Sequence, residues 1–458
     1  MSRFAVHRLQ RLLSLATLLV SPIAFAQPLP LDYEGALQRL LNVSDALASS
    51  RSHVENRRQL AEASRSLSYP EVAVEARYLR FQKSLELPLG SLAPVAAAYG
   101  IPSPFFFKEN EWRMRPVVSA TMPVWTGGQI EAAKAAADAA VDEALAVEAQ
   151  TSQQQTVQLV QAYFGQQLAR QVAGVHEDVR NGLQQHYDNT SKLEREGFIT
   201  RAQLLQAQVA LDNAEREYIK AVNDQRAAEE ALARLLRSDK PIQTLSPLFV
   251  VQSPLAPVED FINAAVQGHP GLAQLRAVSQ QAGQNIRAEE ANWKPRVYLF
   301  SQYDLKRSDE LLTDSDWAFG IGVSYTIFSR RDRQRHVEAA RSQQSQADYA
   351  LRDNTVRLEI GISNAWLAVD SARQQFNLLQ TSITSAEENL RLQELSFQEG
   401  QATSLDVIDA RLQLGKARID RAAAAWEFDL ALIELLDISG QTRQFSDYLH
   451  RADTVFLP

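Results

Sequence analysis

The sequence predicts a mainly α-helical fold with some β-strands, in which long helical hairpins alternate with two β-hairpins. Composition is the first indication, since 22% of the 458 residues are charged and only 8% are aromatic, which favours long helices over a compact mixed core. Residues 128–195 and 332–397 contain no helix breaker except isolated glycines. Two other stretches, each following a proline, alternate with a period of two, as strands do.

The first 26 residues have the features of a secretory signal peptide. Arg3, Arg8 and Arg11 precede the apolar run 12–20, and Ala24-Phe25-Ala26 supplies an A-x-A cleavage site. Without those three arginines the 47 basic side chains fall to 44 against 55 acidic ones, which gives a net charge near −11. Such an acidic chain is not expected to bind nucleic acid.

The residue types that most enzymes and metal sites need are missing or scattered. There is no cysteine, which excludes disulfides, zinc–cysteine sites, thiol nucleophiles and an acylated N-terminal cysteine. The seven histidines form no H-E-x-x-H motif and no i, i+4 pair. No G-x-S-x-G motif or Walker loop occurs, and the pair Gly320-x-Gly322 belongs to a strand. We therefore predict no enzyme activity, no metal and no cofactor.

A tandem duplication is predicted, because the chain matches itself at an offset of 203 residues. The stretch REGFITRAQLLQAQVALDNA at 195–214 recurs as QEGQATSLDVIDARLQLGKA at 398–417, with a glycine and a threonine in matching places. The first repeat spans 27–237 and the second 258–440. A proline-rich linker, 238–257, joins them, and the tail 441–458 carries no signal that assigns a structure.

Each repeat is predicted to begin with one helix of about 35 residues, 31–67 or 258–292, which ends where Pro70 or Pro295 forces extended backbone. A β-hairpin follows, 71–125 in the first repeat and 296–328 in the second. The connections within these hairpins, 81–111 and 305–316, are expected to be loops, the first without an assigned role.

The strand 317–328 alternates most clearly. Small or polar residues form one face, and large apolar residues form the other: Trp317, Phe319, Ile321, Val323, Tyr325 and Ile327. This pattern fits a strand between lipid and a wet lumen. The strands 71–80, 112–125 and 296–304 alternate less cleanly, so a soluble hairpin packed on a helix stays open as an alternative for them.

A long helix follows each β-hairpin, 128–195 and then 332–397, with Thr126 or Ser329 as the expected N-cap. At 1.5 Å per residue each helix is about 100 Å long. Glycines at 197 and 400 end these helices, and Thr200 with Gln203, or Thr403 with Asp406, has the capping-box spacing that starts the return helices 201–237 and 404–437. Apolar residues seven apart on the return helices indicate antiparallel coiled-coil pairing.

Any membrane crossing has to be made by strands, because after the signal peptide no run of about 18 apolar residues occurs. Four strands cannot close a membrane barrel, since the smallest barrels have about eight. The strand interpretation therefore requires a homo-oligomer, and a trimer would supply twelve strands.

These features resemble the TolC-like outer-membrane efflux protein family. The resemblance covers nearly all of the mature chain and rests on the signal peptide, the prolines before the strands, Trp125-Thr126-Gly127-Gly128, His269-Pro270 and, above all, GQATSLDVIDA at 400–410. It implies a homotrimer in the outer membrane of a Gram-negative bacterium, with a twelve-strand β-barrel in outer-membrane lipid and a periplasmic α-barrel of helical hairpins.

The resemblance also implies a function. Such a channel is the exit duct of a tripartite efflux or type I secretion system, and it docks a periplasmic adaptor (membrane fusion) protein and an inner-membrane RND, ABC or MFS pump. Neither the cargo nor the pump can be chosen from the sequence. A periplasmic coiled-coil adaptor or scaffold protein that does not span the membrane is the alternative.

The family's pore constriction corresponds to Asp406 and Asp409, whose carboxylates would form rings that favour cations. Helix capping and the helix dipole would also account for Asp406. In relatives, a charged latch between the tips holds the entrance closed. Two of its residues are missing here, since Gln203 and Ala402 replace an aspartate and an arginine. We therefore expect apolar contacts or Arg201 to hold the tips instead. The resemblance assigns adaptor contact to the two tips, although turn formation alone would explain the same residues: Gly197, Phe198, Ile199, Thr200, Gly400, Gln401, Ala402 and Thr403.

Overall fold

The computed structural model describes residues 28–305, 316–451 and 453–456. The signal peptide and most of the loop 305–316 lie outside the described residues. The rest falls into two compact units. The helical unit comprises the chain up to Ser52, Leu145–Ala273 and the chain from Leu351, and the sheet unit comprises His53–Ala144 and Gln274–Ala350.

The elements follow one another in two similar series. The first series is β1 (Leu29–Leu31), α1 (Tyr33–Val43), α2 (Asp45–Arg65), β2 (Glu71–Leu87), α3 (Ala93–Ala98), β3 (Phe105–Trp125), α4 (Gln129–Arg195) and α5 (Arg201–Leu235). After β4 (Ile242–Thr244) and β5 (Phe249–Val251), the second series is α6 (Val258–Gly268), α7 (Pro270–Ala291), β6 (Arg296–Asp304), β7 (Trp317–Ser324), α8 (Arg333–Gln398) and α9 (Ser404–Ile438). The chain ends with α10 (Phe445–Leu449) and β8 (Thr454–Phe456).

None of the helices in the described ranges combines the length and the apolar character that crossing a membrane requires.

The single long helix expected at the start of each repeat is wrong, because both helices are interrupted. Ser44 has extended backbone between α1 and α2, and its Oγ accepts a hydrogen bond from Leu47 N (3.4 Å). His269 is likewise extended between α6 and α7, because the residue before Pro270 avoids helical geometry and proline is favoured in the first turn of a new helix.

The first β-hairpin is longer than expected. β2 and β3 pair without a break from Glu71 opposite Thr121 to Leu87 opposite Phe105, so only 88–104 connects them, and both ends of the predicted loop, 81–87 and 105–111, are strand. The face that is apolar from Val72 to Tyr78 carries only polar residues at 80, 82, 84 and 86, so the alternation that indicated a strand ends at residue 80. At the other hairpin β7 ends at Ser324, before the expected end at 328.

The N-cap of α8 also differs from expectation. Asp332 Oδ1 accepts a hydrogen bond from Arg335 N (3.1 Å) and caps the helix, whereas Ser329 Oγ accepts from Arg331 N (3.1 Å) in the preceding turn. Thr126 Oγ1 accepts from Ile130 N (3.2 Å) at the start of α4.

The sheet unit contains one antiparallel sheet in the order β2-β3-β6-β7. The cross-strand register brings twelve exposed large apolar side chains, drawn from all four strands, onto one face: Val72, Val74, Tyr78, Trp112, Met114, Met122, Leu299, Tyr303, Trp317, Phe319, Ile321 and Val323. Aromatic pairs lie at one end of this apolar face, where Tyr78 stacks on Trp112 (5.2 Å) and Tyr303 is opposite Trp317. Such a face, bordered by aromatic residues, is typical of strands in contact with lipid.

The glycine pair of β7 has a packing role on the opposite face of the sheet. A Cβ at Gly322 would lie 2.5 Å from the Tyr298 ring, and one at Gly320 would lie 3.3 Å from the Phe300 ring. The two aromatic rings of β6 therefore occupy the space that side chains at Gly320 and Gly322 would fill.

Aromatic packing forms the main core of the helical unit. Phe164 lies at the centre, with ring centroids of Tyr33, Tyr163, Phe249 and Phe445 within 5.2 to 5.8 Å. The linker supplies part of this core, and so does the tail, to which the sequence assigned no structure. β4 pairs with β1, and β8 pairs with β5.

Asp429 is a fully buried acid in the same core. Neither carboxylate oxygen has a hydrogen-bond partner of good geometry. Burial raises its pKa well above the ordinary carboxyl value, and the nearby Phe249 N–H offsets only part of this rise. Since the unfolded chain ionises Asp429 at its ordinary pKa, stability is full below that value and declines as pH rises toward the folded pKa.

We expect Asp429→Asn to stabilise the protein increasingly as pH rises above the ordinary carboxyl pKa of about 4, because the amide removes a buried group that would otherwise have to ionise. Thermal unfolding of the purified protein at a series of pH values above that pKa measures the effect. Asp420→Asn, at an exposed position of the same helix, is the control. A gain in stability that did not change with pH would contradict the account.

Candidate functional site at the hairpin tips

The first tip is a glycine turn between α4 and α5. Gly197 has φ +81°, a left-handed conformation that glycine adopts without strain. Phe198 N donates to Leu193 O (2.9 Å) and closes the helix end. Thr200 then caps α5, because Gln203 N donates to Thr200 Oγ1 (3.4 Å) and Thr200 N donates to Gln203 Oε1 (3.1 Å).

The second tip repeats this geometry between α8 and α9. Gly400 has φ +74°, and Gln401 N donates to Ser396 O (2.8 Å). Thr403 and Asp406 form the capping box, in which Thr403 N and Thr403 Oγ1 each donate to Asp406 Oδ2 (2.7 Å). The spacing of glycine, threonine and a polar residue in the repeated phrase thus encodes a helix end, a turn and a helix start.

The two aspartates of the second tip differ in their surroundings. Asp406 is held by Thr403, and hydrogen bonds from the Thr403 side chain and then its backbone lower the pKa of Asp406. Asp409 is exposed, and within the described residues no hydrogen bond or ion pair holds its carboxylate. Of the pair, Asp409 is the one whose charge has no structural use in the single chain.

A buried histidine joins the two helical hairpins close to the tips. His186 on α4 and Ser404, the first residue of α9, are both buried, and Ser404 Oγ lies 2.8 Å from His186 Nε2, within hydrogen-bond distance. The His186 ring also lies 5.0 Å from that of Phe397 on α8. Burial, and then the charge of Arg411, lowers the pKa of His186 to about 4, so the imidazole is neutral near pH 7.

Arg411 adds a second connection about two helical turns further along α9 from the tip. It forms an ion pair with Glu394 of α8, and its guanidinium lies where a Cβ at Gly182 of α4 would be. The absence of a side chain at Gly182 therefore gives Arg411 its place between α4 and α8. Arg201, expected as one replacement for the missing latch, pairs instead with Glu194 of its own hairpin (3.7 Å).

The α4 and α9 helices join the two helical hairpins. They contact each other through His186 and Ser404, Leu183 packs with Ala207 of α5, and Val407 packs with Leu390 of α8. Between α5 and α9 an apolar cavity of about 670 Å³ opens to the surface. Exposed leucines and a valine form its walls: Leu205, Val209, Leu405 and Leu412.

Most of the predicted tip residues are exposed, and Phe198 is the extreme case, with 75% of its surface accessible. Ile199 and Ala402 are partly covered. Sequence reasoning missed His186, Ser404, Arg411 and Glu394, because a lone histidine and scattered charges on long helices carry no signal without the pairing of the hairpins. Gly182, a glycine within a helix, was an available sign of close packing.

Comparison with known proteins points to one family. A family model described as "Outer membrane efflux protein" matches residues 36–237 and 261–441, which are most of the chain. The match includes both tips and both strand pairs.

Two curated relatives and one solved structure are similar to the chain. Outer membrane efflux protein BepC of Brucella suis is 24% identical over 289 residues, which are 62% of this chain and 62% of BepC. Alkaline protease secretion protein AprF of Pseudomonas aeruginosa is 25% identical over 320 residues, 64% of this chain and 66% of AprF, so the matches span just under two thirds of each relative. The crystal structure of CusC superposes with a TM-score of 0.74 over 89% of this chain and 91% of CusC, at 18% identity.

We expect acidification to loosen the tips through His186. Because the ordinary histidine pKa of about 6.5 falls to about 4 in the folded chain, stability is lost as pH falls through that window. Hydrogen exchange at 186–204 and 404–411, corrected for intrinsic rates, should therefore accelerate several-fold between about pH 6.5 and about pH 4.5.

The variant His186→Gln keeps a hydrogen-bonding group but does not titrate, so its exchange should change little with pH. The matched control is His53→Gln, since His53 is exposed and lies in the sheet unit. Equal pH dependence in the wild type and in His186→Gln would show that His186 does not control the tips.

Proposed function

Since the chain belongs to the outer membrane efflux protein family, we propose that three copies form the exit duct of a tripartite efflux or type I secretion system. The family places the chain in the outer membrane of a Gram-negative bacterium. The single observation that carries the proposal is the apolar, exposed face of a four-stranded sheet whose two outer strands are open.

The open strands support assembly from several copies. Among the residues that the structure describes, β2 and β7 each have a partner on one side only, so the backbone N–H and C=O groups of their outer edges need another partner in lipid, where no water is available. If β7 of one copy pairs with β2 of the next, the contact is heterologous and closes into a ring. Three copies give twelve strands, which is within the range of membrane barrels.

Exposed apolar side chains on α8 and α5 also support assembly from several copies. Exposed apolar side chains lie on one side of α8 at spacings of 4, 7 and 11 residues, which keep them on one face: Val356, Ile360, Leu367 and Leu378. Ile219 of α5 is exposed as well, and it lies outside the apolar cavity between α5 and α9. Neither Ile219 nor the α8 set is buried in the single chain, so packing α5 of one copy against α8 of the next would cover both.

Asp406 and Asp409 are proposed to line the entrance of this duct. In a trimer they would form two rings of three carboxylates, which attract cations and repel anions at a constriction. The geometry of the tip favours Asp409 as the stronger contributor, because Asp406 is partly satisfied by Thr403 whereas Asp409 is free to face the pore.

The adaptor is proposed to dock at the tips and along the cavity between α5 and α9. The exposed residues Gly197, Phe198, Thr200, Gly400, Gln401 and Thr403, with Ile199 and Ala402 beside them, surround the turns. The apolar cavity of about 670 Å³ continues from them along the helices and would accept the apolar side of an adaptor helix. Its apolar walls would supply the area that this docking buries.

Two kinds of cargo fit the proposed duct. BepC is named for efflux and AprF for secretion of a protease, and both modes fit a duct whose inner-membrane pump selects the substrate. The alternative, a periplasmic scaffold outside the membrane, leaves the exposed apolar face of the sheet without a partner, and for that reason we favour the duct.

The proposal predicts cation-selective conductance by the purified protein in planar bilayers. Asp409→Asn should reduce the cation preference and weaken block by multivalent cations, and Asp406→Asn should have a smaller effect, because Asp406 is engaged in capping. The control is Asp420→Asn, an exposed acid on the same helix about three turns further from the tip.

Two results would contradict the proposal in different ways. Protein that gave no conductance and was washed from membranes by carbonate would not be a channel. A conducting channel whose selectivity was unchanged in the double Asp406/Asp409 amide variant would remain a duct, but its constriction would lie elsewhere.

A further inference from the structure

Six cationic side chains lie where the second β-hairpin joins its flanking helices. Two precede or begin β6, and four lie between β7 and the first turn of α8: Lys294, Arg296, Arg330, Arg331, Arg333 and Arg335. The whole chain is acidic, with a formal net charge of −8. This concentration of positive charge has no role in the duct proposed above.

Four of the six cations surround one small cavity of about 170 Å³: Lys294, Arg296, Arg331 and Arg333. Its other polar groups are the hydroxyls of Ser324, Thr326 and Ser329 and the amide of Asn292. The volume has room for roughly five waters at about 30 Å³ each, and so for one tetrahedral oxyanion. No carboxylate lines it, so almost every polar group that faces the cavity can donate a hydrogen bond.

The positive charge is poorly compensated by the chain itself. Arg331 pairs with Glu289 (2.6 Å), but in the described part of the chain the other three cations donate only to neutral oxygens. Lys294 Nζ donates to Gly127 O (3.1 Å) and Arg333 Nη2 donates to Thr326 O (2.5 Å). Arg296 Nη2 makes a long contact of 3.3 Å with Asn292 Oδ1. Several guanidinium N–H groups are therefore left for another acceptor.

Contact with lipid tails does not explain the cluster. Arg296 is opposite Ser324 in the register, next to the pair Tyr298 and Gly322. Side chains alternate between the two faces of a strand, so Arg296 lies on the polar face of the sheet. The exposed apolar face, which holds Ile321 and Val323, is the other one.

We propose that this cavity binds a phosphate-like oxyanion. Arg296 and Arg333 are the principal ligands, because planar guanidinium groups bind tetrahedral oxyanions through paired N–H donors. Lys294 and the hydroxyls of Ser324 and Thr326 complete the donor set. The oxyanion supplies the negative charge that the surrounding residues lack. Binding is a property of the purified protein and does not depend on the duct proposal.

The test measures binding of inorganic phosphate to the full-length protein in uncharged detergent, by calorimetry at constant ionic strength set with chloride. The double variant Arg296→Gln/Arg333→Gln should weaken binding by roughly ten-fold or more. The matched control removes the same charge outside the cavity, as Arg335→Gln/Arg341→Gln, since these arginines pair with Asp332 and Glu290. The control should stay within about two-fold of the wild type.

A second arm distinguishes a soluble oxyanion from a lipid headgroup. The protein is placed in nanodiscs of phosphatidylglycerol or of phosphatidylcholine, and retained lipid is counted by native mass spectrometry. Phosphate binding in detergent identifies a soluble oxyanion, whereas retention of phosphatidylglycerol alone, lost in the cavity variant, identifies a headgroup. If the double variant does not fold, both measurements are repeated with the single variant Arg296→Gln. Equal binding of both probes by the cavity and control variants, or no binding by the wild type, would overturn the proposal.

Discussion

The two unpaired edges of the four-stranded sheet are the constraint on which the rest of the structure depends. One face of the sheet is apolar and exposed, and its outer strands, β2 and β7, each leave a row of backbone donors and acceptors without a partner. In lipid each such group costs several kcal/mol. A single chain cannot satisfy them, so we propose that the sheet is one sector of a larger assembly, in which the exposed apolar sides of α5 and α8 are the helical counterpart of the open strands.

Duplication of one unit explains why the two hairpin tips have the same geometry. Both tips use a left-handed glycine, a threonine cap and a reciprocal hydrogen bond from the third residue of the next helix. The two copies differ at this third residue: Gln203 completes the capping box of the first tip, and Asp406 completes that of the second. The hairpins are then joined by a neutral hydrogen bond between His186 and Ser404, an interaction that salt screens much less than an exposed ion pair.

Local chemistry made much of this structure predictable from the sequence. Long helices without breakers, alternation in β7, and the spacing of glycine and threonine at the tips each depend on neighbouring residues, and the family and fold class that they indicated are confirmed. The failures have local causes too. Ser44 and His269-Pro270 interrupt helices whose apolar pattern continues, and the distal parts of β2 and β3 are polar on the face where an apolar pattern was sought. The assignments of Asp406, Asp409 and the adaptor contacts remain predictions.

Contacts between distant residues could not be predicted in the same way. Pairing of β5 with β8 joins residues about 200 positions apart, and the His186 and Arg411 contacts exist only once both hairpins are packed. The buried Asp429 is a different case, because apolar residues lie one turn before and after it, at Ala425, Trp426, Leu432 and Ile433, and this sign of burial was missed.

Cross-linking between the open strands tests most directly the claim that β7 of one copy pairs with β2 of the next. Because native cysteine is absent, only introduced cysteines can form the cross-link. Val72→Cys on β2 and Val323→Cys on β7 lie on the same face at opposite edges of the sheet. Three strand spacings of about 4.8 Å separate them within one chain, too far for a disulfide, whose Cα atoms are at most about 7 Å apart. Oxidation of the double variant in outer membranes should give covalent dimers and trimers, with monomers only for each single variant. Exclusively monomeric protein after oxidation, with both thiols shown to be reactive, would contradict the account.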